Sequence, residues 1–357
     1  MNKGRVVVGM SGGVDSSVAA LILKEQGYDV TGVTMQIWQE ESYEESSENG
    51  GCCGLSAVED ARRVAGIIGI PHYVMNFRKE FSDKVIDYFV GEYHAGRTPN
   101  PCIACNRYIK WEALLHRARE IGADYIATGH YGSIVTLENG RYSVAKSDDK
   151  SKDQSYVLYS LTQEELAHTL FPLGGCNKDG VRRMAADAGL PVAAKKDSQD
   201  ICFVPDGDYA AFIERHTGQK SVPGSFVDSD GNVLGQHKGI SHYTVGQRKG
   251  LGIAFGEPRF VLRINPKENT VVLGTKEELM VRRVYVSDVN YMALAGLSGE
   301  LRVTGKLRYS QKESSCIIRP GKDGILAEFD EPQRAATPGQ AAVFYNNGCI
   351  LCGGVIE

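Results

Sequence analysis

Two sets of residues in this 357-residue chain have the types and spacing for chemistry. The first is Ser11-Gly12-Gly13-Val14-Asp15-Ser16-Ser17, which follows the apolar run Val6-Val7-Val8. That run has the β-branched character of a buried parallel strand. The segment after the glycines, Val18 to Gln26, stops at Gly27 as a helix with a glycine end does. A strand, a tight glycine turn and a helix start gather backbone N–H groups and a helix dipole at one point. Such a point is an anion site, best suited to phosphate. Gly12 and Gly13 allow close backbone approach, while Ser11, Ser16 and Ser17 offer hydroxyl donors. Bare phosphate would repel Asp15, so this carboxylate is expected to hold Mg²⁺ against the phosphates. The second set is Cys102-x-x-Cys105, followed by Asn106. On spacing alone it reads as half a zinc site, a redox pair or a coincidence in a cysteine-rich chain.

What is missing narrows the first set. No lysine follows the glycines, so this is not the P-loop of ATPases, and the glycine spacing fails the dinucleotide fingerprint. The segment resembles the Ser-Gly-Gly-x-Asp-Ser loop of ATP pyrophosphatases. That resemblance implies cleavage of ATP between the α and β phosphates, with adenylation of a carbonyl oxygen.

The elements that must position these residues follow in order. Asp29 to Met35 and Pro71 to Phe77 read as parallel strands, and Asp124 to His130 as a further strand ending in Gly129-His130. Helices are expected at about 57–68, 81–93, 107–121, 163–169 and 178–188. Ligands of open α/β sheets bind beyond the C-terminal strand ends, where the phosphate loop lies. Pro99 and Pro101 forbid helix across most of 96–106, which places Cys105 just before a helix N-terminus, where a thiol pKa falls. Glu40 to Gly51 is acidic and reads as a surface loop, and Cys52-Cys53 as a packed or exposed pair at a helix start. Asn139-Gly140 signals a hairpin. Lys146 to Ser155 is polar and places Lys150, Lys152 and Gln154 where they can touch a polyanion. After Pro205 short β-type runs replace strand–helix alternation, and from about Met280 nearly all elements are short strands, as in a small antiparallel barrel. The expected architecture is therefore an α/β Rossmann-like parallel-sheet domain over 1–205, a β-rich domain over 206–279 and a β-barrel over 280–357. Cys349-x-x-Cys352 lies in what reads as a buried last strand, so core packing is expected there rather than zinc.

The length suits two or three domains. With 40 Lys and Arg against 44 Asp and Glu, the formal charge of −4 argues against bulk nucleic-acid affinity and leaves room for a local basic surface. No apolar run approaches membrane-spanning length. The first strand begins too early for a signal peptide, so a reducing, cytoplasmic compartment without membrane attachment is expected. The nine cysteines then suggest catalysis, redox cycling or metal rather than a disulfide scaffold.

Several stretches together are more specific than any alone. They are the phosphate loop, Gly96-Arg97-Thr98-Pro99-Asn100-Pro101 with Cys105-Asn106, Gly129-His130-Tyr131, Lys152-Asp153-Gln154-Ser155-Tyr156 and Asp200-Ile201-Cys202-Phe203. Thr244 to Gly252, Arg308-Tyr309 and Pro338-Gly339-Gln340 extend the pattern over the whole chain. The chain resembles the bacterial tRNA 2-thiouridylases, which thiolate the wobble uridine of certain tRNAs. The resemblance implies that Gly9, Met10, Ser11, Gly12, Gly13, Val14, Asp15 and Ser16 bind ATP, with Met35 and Gly129 around the adenosine. It makes Cys105 the nucleophile and Cys202 the carrier of a transferable persulfide sulfur. The two would be left as a disulfide that must be reduced before another turnover. Asn100, Pro101 and Cys102 would surround the target base. His130, Lys152, Asp153, Gln154, Arg308, Tyr309 and Gln340 match positions that touch the tRNA anticodon stem-loop. A protein must deliver the sulfur. One departure stands out: many relatives carry Asp where this chain has Cys102, so the acid/base role proposed for that carboxylate has no carboxylate here. An iron–sulfur cluster on Cys102, Cys105 and Cys202 is a variant mechanism. The rival functions are a synthetase that adenylates a small molecule and a zinc-dependent RNA-binding module.

Overall fold

The computed structural model describes residues 3–38, 55–196, 201–253 and 256–357. The acidic loop, the Cys52-Cys53 pair and residues 197–200 lie outside the described residues. The chain divides into two compact units. One contains Met1–Val85, Cys102–Pro205 and Asn347–Leu351; the other contains Ile86–Pro101, Asp206–Asn346 and Cys352–Glu357.

In the first unit the apolar run becomes β1 (Arg5–Gly9), buried along its length after Arg5. It is the middle strand of a five-stranded sheet ordered β3-β2-β1-β4-β7. The others are β2 (Asp29–Gln36), β3 (His72–Asn76), β4 (Tyr125–Ala127) and β7 (Thr169–Leu170). Every pairing is parallel, which suits β1, a Val-rich strand covered on both faces. Helix α1 (Val14–Glu25) buries Val14, Val18, Ala19, Ala20 and Leu23. These side chains share one core with Val6 and Val8 of β1, with Ala61, Val64 and Ala65 of α2 (Leu55–Ile68), and with Val181 and Ala185. The chain runs from β1 outward to β3 on one side, then returns to place β4 on the other. The order therefore reverses between β1 and β4, and the crevice beyond their C-terminal ends is the binding position of such sheets. The expected hairpin is present as β5 (Gly132–Thr136) and β6 (Tyr142–Lys146), with Gly140 at φ +78° in its turn.

Two expectations need correction in this unit. The helix expected from Arg107 begins at Pro101 and runs through 101–120, with π-type hydrogen bonding over Cys105–Leu114. Proline is favourable at the first helical position, where its missing N–H costs nothing, so Pro101 starts the helix instead of forbidding it. Cys105 thus sits one turn inside, and Cys102 occupies the open first turn. The short strand β7 falls where the end of a helix was expected, because the 163–169 helix stops at Ala167.

In the second unit β8 (Gly224–Val227), β9 (Val233–His237), β10 (Phe260–Asn265) and β11 (Thr270–Gly274) form a sheet ordered β10-β11-β8-β9. Phe226, Val261, Val271 and Leu273 are fully buried in its core. A helix over Tyr209–Thr217 interrupts the run of strands expected after Pro205. Its signals were present but local: Asp208 accepts from Ala211 N at 3.0 Å, and Gly218 ends it at φ +68°. The remaining strands are β12 (Met280–Asn290), β13 (Leu301–Lys306), β14 (Ser314–Pro320), β15 (Ile325–Arg334), β16 (Ala341–Asn346) and β17 (Cys349–Ile356). They follow the order β12-β15-β14-β13-β16-β17, and an antiparallel β12–β17 pairing joins the ends. This is the closed antiparallel barrel read from the sequence, and the sheet continues from β17 into β6 and β5. Cys352 is buried in β17, and burial pushes its thiol up to about 12, as core packing does.

Candidate functional site

The phosphate loop is tied to the sheet at its first residue. Met10 N donates to Val33 O at 2.8 Å, and Thr34 Oγ1 donates to Met10 O at 2.9 Å. The Met35 methyl lies 3.8 Å from where a Cβ on Gly9 would sit. Gly12 adopts φ +68°, and a Cβ there would come within 2.3 Å of Ala57 O. Only glycine satisfies both demands. Gly13 is the extended N-cap of α1, and its carbonyl accepts from Ser17 N, from Ser17 Oγ at 2.8 Å and from Ser16 Oγ at 3.2 Å. Ser16 Oγ also accepts from Ser11 N at 3.2 Å. Ser16 and Ser17 are buried. Their hydroxyls bond within the loop. A serine in the first turn readily bonds back to the cap carbonyl. Backbone N–H groups of that first turn remain the anion donors.

Gly129 closes the other side of the crevice. A Cβ on it would lie 2.6 Å from Ser16 N and 2.7 Å from the Asp15 carbonyl carbon, so the β4 end packs directly on the first turn of α1. Tyr131, two residues on, donates its hydroxyl to Asp15 Oδ1 at 2.7 Å. Lys178 Nζ lies 2.8 Å from both Asp15 oxygens, and its side chain is only 11% exposed. It stands at the start of the helix Lys178–Asp187, capped by Asn177, whose Oδ1 accepts from Gly180 N. Lys195 Nζ donates to Gly12 O at 3.0 Å and to Asp60 Oδ2 at 2.8 Å. Sequence reasoning identified none of Lys178, Lys195 and Tyr131 as site residues. Nothing in their spacing marks them, since they come from three separate elements. Two lysines and the Asp15 carboxylate therefore border the loop, and a carboxylate beside a phosphate site suits an Mg²⁺ ion that arrives with its phosphates.

A second cluster surrounds the helix over 101–120. Asn106 is buried; its Nδ2 donates to Val157 O at 2.8 Å and its Oδ1 accepts from Lys110 Nζ at 2.8 Å. Lys110 Nζ is 3.5 Å from His130 Nε2, and His130 Nδ1 is 2.7 Å from Thr128 Oγ1. An ammonium only donates, so Nε2 accepts and Nδ1–H donates to Thr128. Burial and the Lys110 charge push this imidazole well below its usual range, so it stays neutral. Linkage fixes the sign. The unfolded chain takes up a proton near the ordinary imidazole value of 6.5, the folded chain refuses it, and stability falls as pH drops below that value. His130→Gln is expected to flatten this acid limb, read as the change in urea midpoint between about pH 7.5 and about pH 5.5. His72 and His237, also pushed down by burial, leave a residual slope. An undiminished slope would show that His130 does not carry it.

The other residues singled out in the sequence are placed as follows. Gln154 Oε1 accepts from Tyr131 N at 3.0 Å, and Asp153 accepts from Ser147 N, Ser155 N and Ser155 Oγ. Gln154 braces the segment carrying Tyr131, Asp153 braces its own loop from Ser147 to Ser155, and Lys152 beside them is half-buried. Cys105 and Cys202 are half-buried and Cys102 is exposed. Cys202 lies in a turn closed by Val204 N to Ile201 O, and Phe203 beside it packs edge-on against Phe81 at 5.7 Å. Among the described residues, no group of three or more His, Cys, Asp or Glu side chains is arranged to hold a metal ion. In the second unit Gln340 Nε2 donates to Thr98 O at 2.8 Å and Pro99 O at 3.2 Å. Gln340 thus fastens the turn that presents Asn100 and Pro101. Arg308 donates to Arg334 O at 3.4 Å, and Tyr309 is exposed, with Lys306 Nζ 5.7 Å from its ring centre.

Known proteins align with this arrangement from end to end. Residues 4–206 match the family described as tRNA methyl transferase HUP domain, 210–275 the tRNA methyl transferase PRC-barrel domain, and 281–356 the aminomethyltransferase beta-barrel domain. The chain is 60% identical over 353 residues to the tRNA-specific 2-thiouridylase MnmA of Lachnoclostridium phytofermentans, covering 99% of both chains. It is 55% identical over 359 residues to the enzyme of that name from Clostridioides difficile, covering 100% of this chain and 99% of that one. With that identity along its whole length, the chain belongs to the tRNA-specific 2-thiouridylase family.

Proposed function

We propose that the protein is a tRNA-uridine 2-sulfurtransferase that cleaves ATP to AMP and pyrophosphate and replaces O2 of the wobble uridine by sulfur. The observation that supports it most is the loop Gly9 to Ser17, seated at the reversal point of the sheet and pinned by Gly12 and Gly129. That loop is built for a nucleotide phosphate chain, and the relatives sharing it end to end are named as thiouridylases. The word methyl transferase in the matched family descriptions has no such support in the site. In this reading residues 1–205 carry the ATP chemistry, and 206–279 and 280–357 contact the RNA.

Each residue has a role in this reading. The backbone from Gly9 to Ser16 holds the phosphates, with Met35 and Gly129 around the adenosine. Lys178 neutralises Asp15 and, when nucleotide enters, is free to turn its charge to the phosphates while Asp15 holds Mg²⁺. The ion would neutralise charge on the departing pyrophosphate. Adenylation turns a poor oxygen leaving group at uridine C2 into AMP. A persulfide on Cys202, loaded by a sulfur-donor protein in a reducing cytoplasm, supplies the sulfur. Cys105 attacks Cys202 Sγ, so that the outer sulfur ends on C2 and a Cys105–Cys202 disulfide remains for reduction. Asn100, Pro101 and Cys102 surround the base, which leaves the anticodon stack to reach them. Arg308, Tyr309 and Lys152 touch the tRNA, and Gln340 reaches it beside the turn that its amide fastens. His130, Asp153 and Gln154, whose side chains are tied internally, act mainly by fixing the surface it touches.

Asp15→Asn tests the assignment. ATP cleavage should fall by roughly two orders of magnitude, because the phosphates lose their metal partner. Binding of unmodified tRNA should stay near the wild-type level. The wild-type products should be AMP, pyrophosphate and a nucleoside heavier by the exchange of sulfur for oxygen. ADP as product, or no thiolated nucleoside with a competent sulfur donor, would overturn the reading in favour of a small-molecule synthetase.

A further inference from the structure

The stretch Thr244 to Gly252 takes no part in the chemistry above, yet the second unit holds it rigidly. Gln247 pins the turn at both ends: its Oε1 accepts from Thr244 N at 3.0 Å and its Nε2 donates to Lys249 O at 2.9 Å. The main chain is locked to β10 as well, through Gly246 N to Val261 O at 2.7 Å and Val261 N to Gln247 O at 2.9 Å. Gly246 adopts φ +90°, and a Cβ there would lie 2.7 Å from Ala335 Cβ. A turn fixed by this many bonds presents its next two side chains, Arg248 and Lys249, in a set place, and both are exposed.

They line an open basin of about 560 Å³ together with Phe260, Lys276 and Arg334. Lys276 and Arg334 are also exposed, so four cations surround one concavity. Among the described residues none of the four is paired with a carboxylate. The acids nearby in sequence are engaged elsewhere: Glu257 pairs with Arg259, and Glu278 accepts from Ser229 Oγ and Thr275 N. Glu277 next to Lys276 reduces this surplus without cancelling it. The Arg334 guanidinium lies 5.2 Å from the centre of the buried Phe260 ring. A guanidinium presents a planar fork suited to phosphate oxygens. The Arg334 carbonyl accepts from Arg308, so the basin adjoins a residue already assigned to RNA.

We propose that this basin binds phosphates of the tRNA backbone, with Arg248, Lys249, Lys276 and Arg334 as the contacting groups. The proposal rests on the tRNA reading above. It accounts for RNA affinity in a chain with a net charge of −4: the positive charge is concentrated in one shaped concavity. Such contacts position the RNA without reading its sequence.

The test uses the full-length protein and an unmodified tRNA transcript, with affinity measured between about 50 and about 200 mM KCl. Arg248→Ala/Lys276→Ala should weaken binding roughly ten- to a hundredfold at about 100 mM salt and reduce the slope of log K against log salt by about two. Lys249→Gln, a single exposed change, should reduce it by about one. ATP binding should be unchanged in both, and an unchanged urea midpoint of the full-length protein shows that the variants are folded. If both variants bind tRNA with the wild-type slope while the wild type binds tRNA well, the basin is not an RNA site and the thiouridylase reading stands. A wild-type protein with no affinity for tRNA would overturn both.

Discussion

Gly129→Ala is expected to reduce ATP cleavage by about a hundredfold or more in protein that still folds. The added Cβ would fall 2.6 Å from Ser16 N and 2.7 Å from the Asp15 carbonyl carbon, both backbone atoms of the first turn of α1. No flexible side chain can yield, so β4 and the phosphate loop must move apart. A misplacement of about 1 Å at a reacting group typically costs on the order of 10²-fold. The overpacking itself should cost about 1–3 kcal/mol of stability. Gly66→Ala provides the contrast: Gly66 lies within α2, and a Cβ there meets nothing within 4 Å. That change should leave ATP cleavage intact and raise stability by about 0.5–1 kcal/mol through helix propensity. The measurements are pyrophosphate release and the urea midpoint. Full ATP cleavage by Gly129→Ala would mean that the crevice between β1 and β4 is not where the phosphates sit.

The phosphate loop was legible because its information is local. A β-branched run, two glycines and a helix-forming run encode strand, turn and helix within about twenty residues, and the chemistry follows from that geometry. Asp15 was also legible as a carboxylate, but its partners were not. Tyr131, Lys178 and Lys195 reach the loop from residues 116, 163 and 183 positions away. Only the sheet order, which puts β4 beside β1, brings the first of them there. The same holds for Gln340, whose bond to Thr98 spans 242 positions.

The missed elements have a different cause. The helix Tyr209–Thr217 carried an Asp cap and a Gly end, yet it was hidden by the strand-like texture on either side. The misplaced start of the 101–120 helix came from weighing proline only as a breaker. Proline breaks a helix interior and starts a helix at its first position, and the sequence does not say which side of Pro101 is helical. Cys102 lies in the open first turn of that helix, and Cys105 one turn further in.

That shift sharpens the prediction about the cysteines. Cys105→Ser and Cys202→Ser should each stop thiolation, lowering turnover by more than about 10³-fold, because each removes a sulfur that forms or breaks a bond. ATP binding should survive in both, since neither residue belongs to the phosphate loop. After a single turnover without reductant, the wild-type protein should contain a Cys105–Cys202 bridge, detectable by peptide mass mapping. Cys102→Ser should retain appreciable activity, since the proposed sulfur path does not pass through that thiol. Cys102→Asp should retain or increase it by restoring an acid/base group. Cys102 and Cys105 are three positions apart on one helix, so they share a face. A carboxylate at 102 should disfavour the Cys105 thiolate through like charge. The pH–rate profile of Cys102→Asp is therefore expected to move to higher pH than that of Cys102→Ser. If Cys102→Ser is as damaging as the other two serine variants, all three thiols act together and the disulfide route is wrong. If oxidised protein instead bridges Cys102 to Cys202, Cys102 takes the role assigned here to Cys105.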